Sequence, residues 1–147
     1  MKRSLIVGTA VLATLLMGST AALADSPHII GGATTSVSGN SITFSASVAG
    51  LGNASTADFD WNGTVDVSSR CYTRSGNKPQ AANKQETINV DTTTTSNVGK
   101  NGRATASLTI EPLSTLRCPP GQNVVIESVS YDITLSYQGD ALATFTS

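Results

Sequence analysis

The chain has 147 residues, of which 39% are hydrophobic and 13% charged, with a formal net charge of −1. That length supports one compact core and is too short for two. Apart from Lys2-Arg3 the basic residues are scattered singly, so no phosphate-backbone or anionic-lipid footprint is present and nucleic acid is excluded as a partner.

The first predicted element is an export signal. Lys2 and Arg3 give a positive start, Leu5 to Met17 an apolar run, and Ala22-Leu23-Ala24 an A-x-A site, so cleavage is expected between Ala24 and Asp25. The apolar run is shorter than the roughly 18 residues that span a bilayer. The expected organisation is a signal peptide over 1–24 and one secreted, extracellular domain over 25–147 with no membrane span in the mature protein. That part keeps 42 apolar residues of 123 (57 less 15 in the signal) and seven bases against ten acids, a net charge near −3.

Within it the chain reads as strand after strand. Ile29-Ile30-Gly31-Gly32 is a flexible lead-in, Val37 ends a short first strand, and Gly39-Asn40 is a tight turn. Ile42, Phe44, Ala46 and Val48 alternate with Ser and Thr, the pattern of a half-buried strand. After the Gly50-Leu51-Gly52-Asn53 break, Phe59, Trp61, Val65, Val67 and Cys71 share one parity. The segment is either one strand bent at Gly63 or a hairpin turning at Asn62-Gly63, and the unbroken parity favours the bend. Ser75 to Lys84, rich in Gly, Asn and Pro and poor in apolar groups, is expected as an exposed loop. Ile88 and Val90 mark a fourth strand, followed by the polar run Asp91 to Asn97. Asn101-Gly102 leads into Ala104, Ala106, Leu108 and Ile110, and Pro112 stops that strand. Cys118-Pro119-Pro120-Gly121 is a rigid loop; Val129 to Tyr137 is the longest clean alternation, and Gly139-Asp140 reverses the chain into Leu142 to Phe145. About seven short-spaced strands rich in Thr, Ser and Val predict an all-β, antiparallel, immunoglobulin-like β-sandwich, with a small closed barrel as the alternative.

Cys71 and Cys118 are the only cysteines, and an even count in an exported chain predicts a disulfide. Closing a loop of 47 residues stabilises by about 4 kcal/mol in the chain-entropy model. A zinc or redox pair would need a CxxC partner or a nearby histidine, and neither cysteine has one.

Three other patterns carry chemistry. Asp58-Phe59-Asp60-Trp61-Asn62-Gly63 fits the first half of a calcium loop, making Asp58, Asp60, Asn62 and Asp66 candidate calcium or small-ligand residues. The second half departs, since Ser69 stands where a bidentate Glu should close the cage. A strand with one solvated face also places acids at every second position. Ile29-Ile30-Gly31-Gly32 resembles an activated trypsin-like N-terminus, but His28 is the only histidine and precedes it, so no base serves a serine. Trp61 with Phe59, Tyr72, Tyr131 and Tyr137 would make a sugar platform if exposed. Parity assigns all but Tyr72 to the core.

From Gly50 onward the chain resembles a set of uncharacterised secreted bacterial proteins, commonest in actinobacteria. The resemblance rests on Gly50-Leu51-Gly52-Asn53, the strand into Cys71, Gly76-Asn77-x-Pro79-x-x-x-Asn83-Lys84, Asn101-Gly102-Arg103, Cys118-Pro119 and the strand Val129 to Tyr137. This chain has Thr73 and Ser75 where relatives often carry Asn and a second glycine. The resemblance implies compartment, disulfide and fold, and brings no activity with it.

Together these features predict a non-enzymatic exported β-sandwich, binding or structural, at or outside the cell surface. Its expected partner is an extracellular protein or glycan, met by a loop surface bearing Arg74, Asn77 and Lys84. No catalytic residue and no cofactor is assigned beyond the calcium candidates; a carboxylate-dependent hydrolase is the further alternative.

Overall fold

The computed structural model describes residues 26–147. The expected signal peptide over 1–24 lies outside the described residues. Seven strands follow in order: β1 His28–Ser38, β2 Ser41–Ala49, β3 Thr56–Thr73, β4 Pro79–Asn97, β5 Ala104–Ile110, β6 Gln122–Tyr137 and β7 Asp140–Thr146. They form two sheets, β1-β2-β5 and β4-β3-β6-β7, in which every neighbouring pair is antiparallel. The predicted all-β sandwich is therefore the fold.

The core is the set of inward positions read from the alternation. Ile42, Phe44, Val48, Phe59, Trp61, Val65, Ile133 and Leu135 are all fully buried. Phe44 meets Phe145 edge-on at 5.4 Å between ring centres and Tyr131 at 5.2 Å, and Trp61 lies 5.8 Å from Phe145. Such edge-on pairs add roughly 0.5–1.5 kcal/mol each beyond the area they bury.

β3 is continuous through Gly63, and its inward parity holds on both sides. The glycine is needed there. Its φ is +147°, and a Cβ would stand 1.9 Å from the carbonyl oxygen of Asp132 on β6, so no side chain fits between the two strands. The last hairpin turns on Gln138 and Gly139, with φ of 52° and 90°. Positive values at both central residues match the tight turn whose twist suits paired strands.

Two expectations are corrected. The lead-in Ile29-Ile30-Gly31-Gly32 belongs to β1, because His28, Ile29 and Ile30 pair with Ala49, Val48 and Ser47. The two glycines make an irregularity in the register between Ile30 and Ala33, which absorbs the break without ending the strand. The expected loop from Ser75 to Lys84 shrinks to the turn after Thr73, since β4 starts at Pro79, opposite Tyr72, and pairs continuously with β3 from Asn83 onward after a register shift. The polar run Asp91 to Asn97 is also strand. Its inward places are held by polar groups with partners: Thr94 Oγ1 accepts the Trp61 indole N–H at 2.8 Å, and Ser96 Oγ donates to the Thr105 carbonyl at 2.7 Å. Satisfied polar groups replace apolar ones there, which hides the strand from a hydrophobic pattern.

Candidate functional site

β3 delivers Cys71, fully buried, to the end of the four-stranded sheet, where it is bonded to Cys118 from the segment between β5 and β6. The bond brings two loops together: the Arg74 amide donates to the Gly121 carbonyl at 3.1 Å, and the Thr73 amide to that of Lys78 at 3.0 Å. Arg74 and Asn77 are exposed on this stapled end. Lys84 is not with them. It sits on β4 with its side chain turned inward beside Glu86, because residues two apart on a strand share a face.

Lys84 and Glu86 belong to the most connected polar cluster of the structure. β5 is short, so the inward face of this part of β4 is met by the segment after Ile110 rather than by a strand. Glu86 captures that segment. Its Oε2 accepts from Ser114 Oγ and from the Thr115 amide, both at 2.9 Å. Its Oε1 accepts from Thr115 Oγ1 at 2.6 Å and from Lys84 Nζ at 2.9 Å. Lys84 also donates to Thr115 Oγ1.

Deeper in, Ser114 Oγ lies 2.6 Å from Ser69 Oγ and accepts the Leu116 amide at 3.1 Å. With its one proton given to Glu86, Ser114 takes the Ser69 proton, and each hydroxyl is satisfied. Asn40, in the turn between β1 and β2, adds the third element by accepting the Ser114 amide at 2.9 Å and the Leu113 amide at 2.8 Å.

The Thr115 hydroxyl chiefly, then Lys84, the Thr115 amide and Ser114, lower the Glu86 carboxyl from 4.5 to about 2, against a smaller opposing push from burial. Four donors fill the lone-pair sites of the carboxylate, and its proton affinity is far from neutral pH. Glu86 is thus an acceptor that fastens chain segments, not a base with a free lone pair. Sequence reasoning missed it. The available signal was Lys84-x-Glu86, two opposite charges on one strand face.

The four calcium candidates occupy the outer face of β3 and do not converge. Asp58, Asp60 and Asp66 accept from Thr95, Thr93 and Thr87 of β4 at 2.6, 2.6 and 2.5 Å, and Asn62 stands opposite Asp91. From Asp58 to Asp66 the strand runs about 26 Å at roughly 3.3 Å per residue. Calcium ligands must all approach one ion within about 2.3–2.6 Å, so these residues do not fit the ion. Among the described residues no group of three His, Cys, Asp or Glu is arranged to hold a metal.

The aromatic residues divide as parity requires for Phe59 and Trp61, which are buried, while Tyr131 and Tyr137 pack half-buried against the core. Tyr72 is on the outer face but only half-exposed. Its hydroxyl donates to Glu127 Oε1 at 3.0 Å, and Arg70 Nε stands 3.2 Å from the same oxygen. The bond to Glu127, then burial, raises the Tyr72 hydroxyl above its usual range.

No known family model matches the chain, and no curated protein matches it. Among solved structures it is similar to the sporulation control protein Spo0M of Bacillus subtilis at 13% identity and a TM-score of 0.23, over 82% of this chain and 47% of that one. The chain thus spans about half the length of the solved structure it matches. These comparisons assign no family.

Proposed function

We propose that this is a secreted, non-enzymatic β-sandwich that acts at or outside the cell surface, binding a protein or glycan or serving as a structural element there. The observation that carries the reading is the Cys71–Cys118 disulfide, a bond that persists in oxidising, extracytoplasmic compartments. The sequence adds an export signal with cleavage after Ala24. The order β1-β2-β5 against β4-β3-β6-β7 supports an immunoglobulin-like reading of the sandwich. Its carboxylates support a non-catalytic role, since Glu86 is filled with donors and the β3 aspartates are tied to threonines. The contact surface of this reading is the stapled end, where loops stand on a rigid scaffold and expose Arg74 and Asn77.

The test is to locate the protein in fractionated cells, measure its N-terminal mass, and use it to capture partners from cell wall and medium. Mature protein beginning at Asp25 outside the cytoplasm is the expected result; retention inside with Met1 intact rejects the proposal. Capture lost in the double variant Arg74→Ala, Asn77→Ala with an unchanged melt assigns the loops, and undiminished capture removes them.

A further inference from the structure

The stapled end is built from residues 70–84 and 115–126, which the register sets side by side: Tyr72 lies opposite Pro79, and Thr73 opposite Gln122. These two segments hold five of the seven basic residues of the described chain (nine less Lys2 and Arg3): Arg70, Arg74, Lys78, Lys84 and Arg117. They hold none of its nine acidic residues (ten less Asp25). The bases are scattered along the sequence, and the fold gathers them. The other two, Lys100 and Arg103, stand at the opposite end, where Val98 donates to the Ser55 carbonyl just before β3 begins. A chain of net negative charge thus carries its positive charge at one tip.

Arg70 and Lys84 form the base of this tip and are already paired, with Glu127 at 3.2 Å and with Glu86 at 2.9 Å. Arg74, Lys78 and Arg117 are exposed, and among the described residues none of them has an acidic partner. Their backbone is pinned. Arg74 and Lys78 flank one turn, closed by the Thr73 amide on the Lys78 carbonyl and by the Gly76 amide on the Thr73 carbonyl at 2.7 Å. Arg117 adjoins Cys118, whose Cα lies 5.6 Å from that of Cys71, and the Gln122 amide closes the next turn on the Pro119 carbonyl at 3.1 Å. Like charges gathered without counter-charge repel one another, and a ligand that supplies the counter-charge relieves that cost.

We infer that this tip binds an anionic polysaccharide, whose acidic groups are taken by Arg74, Lys78 and Arg117. The inference rests on the stapled end being the contact surface, and it names the chemistry of the partner. Guanidinium and ammonium groups both accept carboxylate or phosphate. Asn77 and Asn123 are exposed beside the cations, and their side-chain amides can donate to and accept from sugar hydroxyls. Three free cations fall short of the roughly six to ten phosphates that nucleic-acid binders engage. The acidic remainder of the molecule repels a polyanion, so the approach is tip first.

Isothermal titration of the disulfide-bonded protein (residues 25–147) with polygalacturonate, phosphorylated dextran, neutral dextran and polyglutamate tests this. Binding to one or both anionic glycans is expected, weakening as salt rises, with none to neutral dextran. Which of the two binds more tightly distinguishes carboxylate from phosphate. Arg74→Glu with Arg117→Glu should weaken binding about tenfold or more, with the melt held or raised. Lys100→Glu with Arg103→Glu makes the same change of net charge at the opposite end and should weaken it less than about twofold. Equal losses in the two double variants would assign the effect to net charge and overturn the inference. Absence of binding to both anionic glycans also overturns it, as does polyglutamate bound as tightly as either. The titration uses purified protein, so its outcome is separate from the fractionation that tests export.

Discussion

Along β4, at the disulfide end, the four-stranded sheet is closed by its own chain: Lys84 and Glu86 point inward and fasten the segment around Ser114, with Asn40 holding it from the other sheet. Along the first half of β6, at the same end, no strand of the described chain pairs with the edge, and three part-exposed valines line a groove beside it. The first side places charge where an apolar residue is expected and satisfies every bond of the carboxylate. The second places apolar groups where charge is expected and leaves backbone bonds unmade. The difference teaches that charge at the end of a sheet is tolerated where the chain itself supplies every partner, whereas an apolar edge keeps its outer backbone groups free of any strand.

The largest blow to the closed side is loss of the staple. Cys71→Ser with Cys118→Ser should cost about 4 kcal/mol by chain entropy, read as a drop in the urea midpoint. A loss confined to a few tenths would mean that the Glu86 cluster alone holds the segment.

Glu86→Ala comes next, at about 1–3 kcal/mol in the same titration, because it strands the buried Ser114 hydroxyl and takes from Thr115 and Lys84 their shared acceptor. Acid should reproduce part of this effect. Glu86 ionises more readily when folded, so its contribution is whole above 4.5 and fades as pH falls toward about 2. Wild type should therefore lose stability over that window, and Glu86→Ala should lose less.

The open side predicts the opposite behaviour. Val125→Lys should shift stability by under about 0.5 kcal/mol, since it changes an exposed residue. Combined with Glu86→Ala it should be additive, the two strands being about 10 Å apart across β3. Coupling of 1 kcal/mol or more would join the two sides into one unit. The smallest effect belongs to the outer face of β3, where calcium against chelator should leave the thermal midpoint of wild type unmoved.

Much of this was legible because burial leaves a period. The inward residues of β2, β3, β5 and the end of β6 are apolar at every second place, and the two cysteines had one way to pair. β4 was half hidden for the converse reason. Its inward places hold Lys84, Glu86, Thr94 and Ser96, which are tolerable there because each has a partner, those of Glu86 and Thr94 far away in sequence. No local pattern announces Ser114 as the partner of Glu86. The free edge of β6 was equally silent, because edges are set by how far the neighbouring strand runs.

Gly63 has a consequence for sequence tolerance. The carbonyl of Asp132 lies where any side chain would begin, so the obstacle is backbone of a central strand and has nowhere to retreat. At Gly31 and Gly32 a Cβ would meet open space, and only the positive φ opposes substitution, at roughly 1–2 kcal/mol. A library randomised at all three positions and selected for folded protein should return many residues at 31 and 32. At 63 it should return glycine.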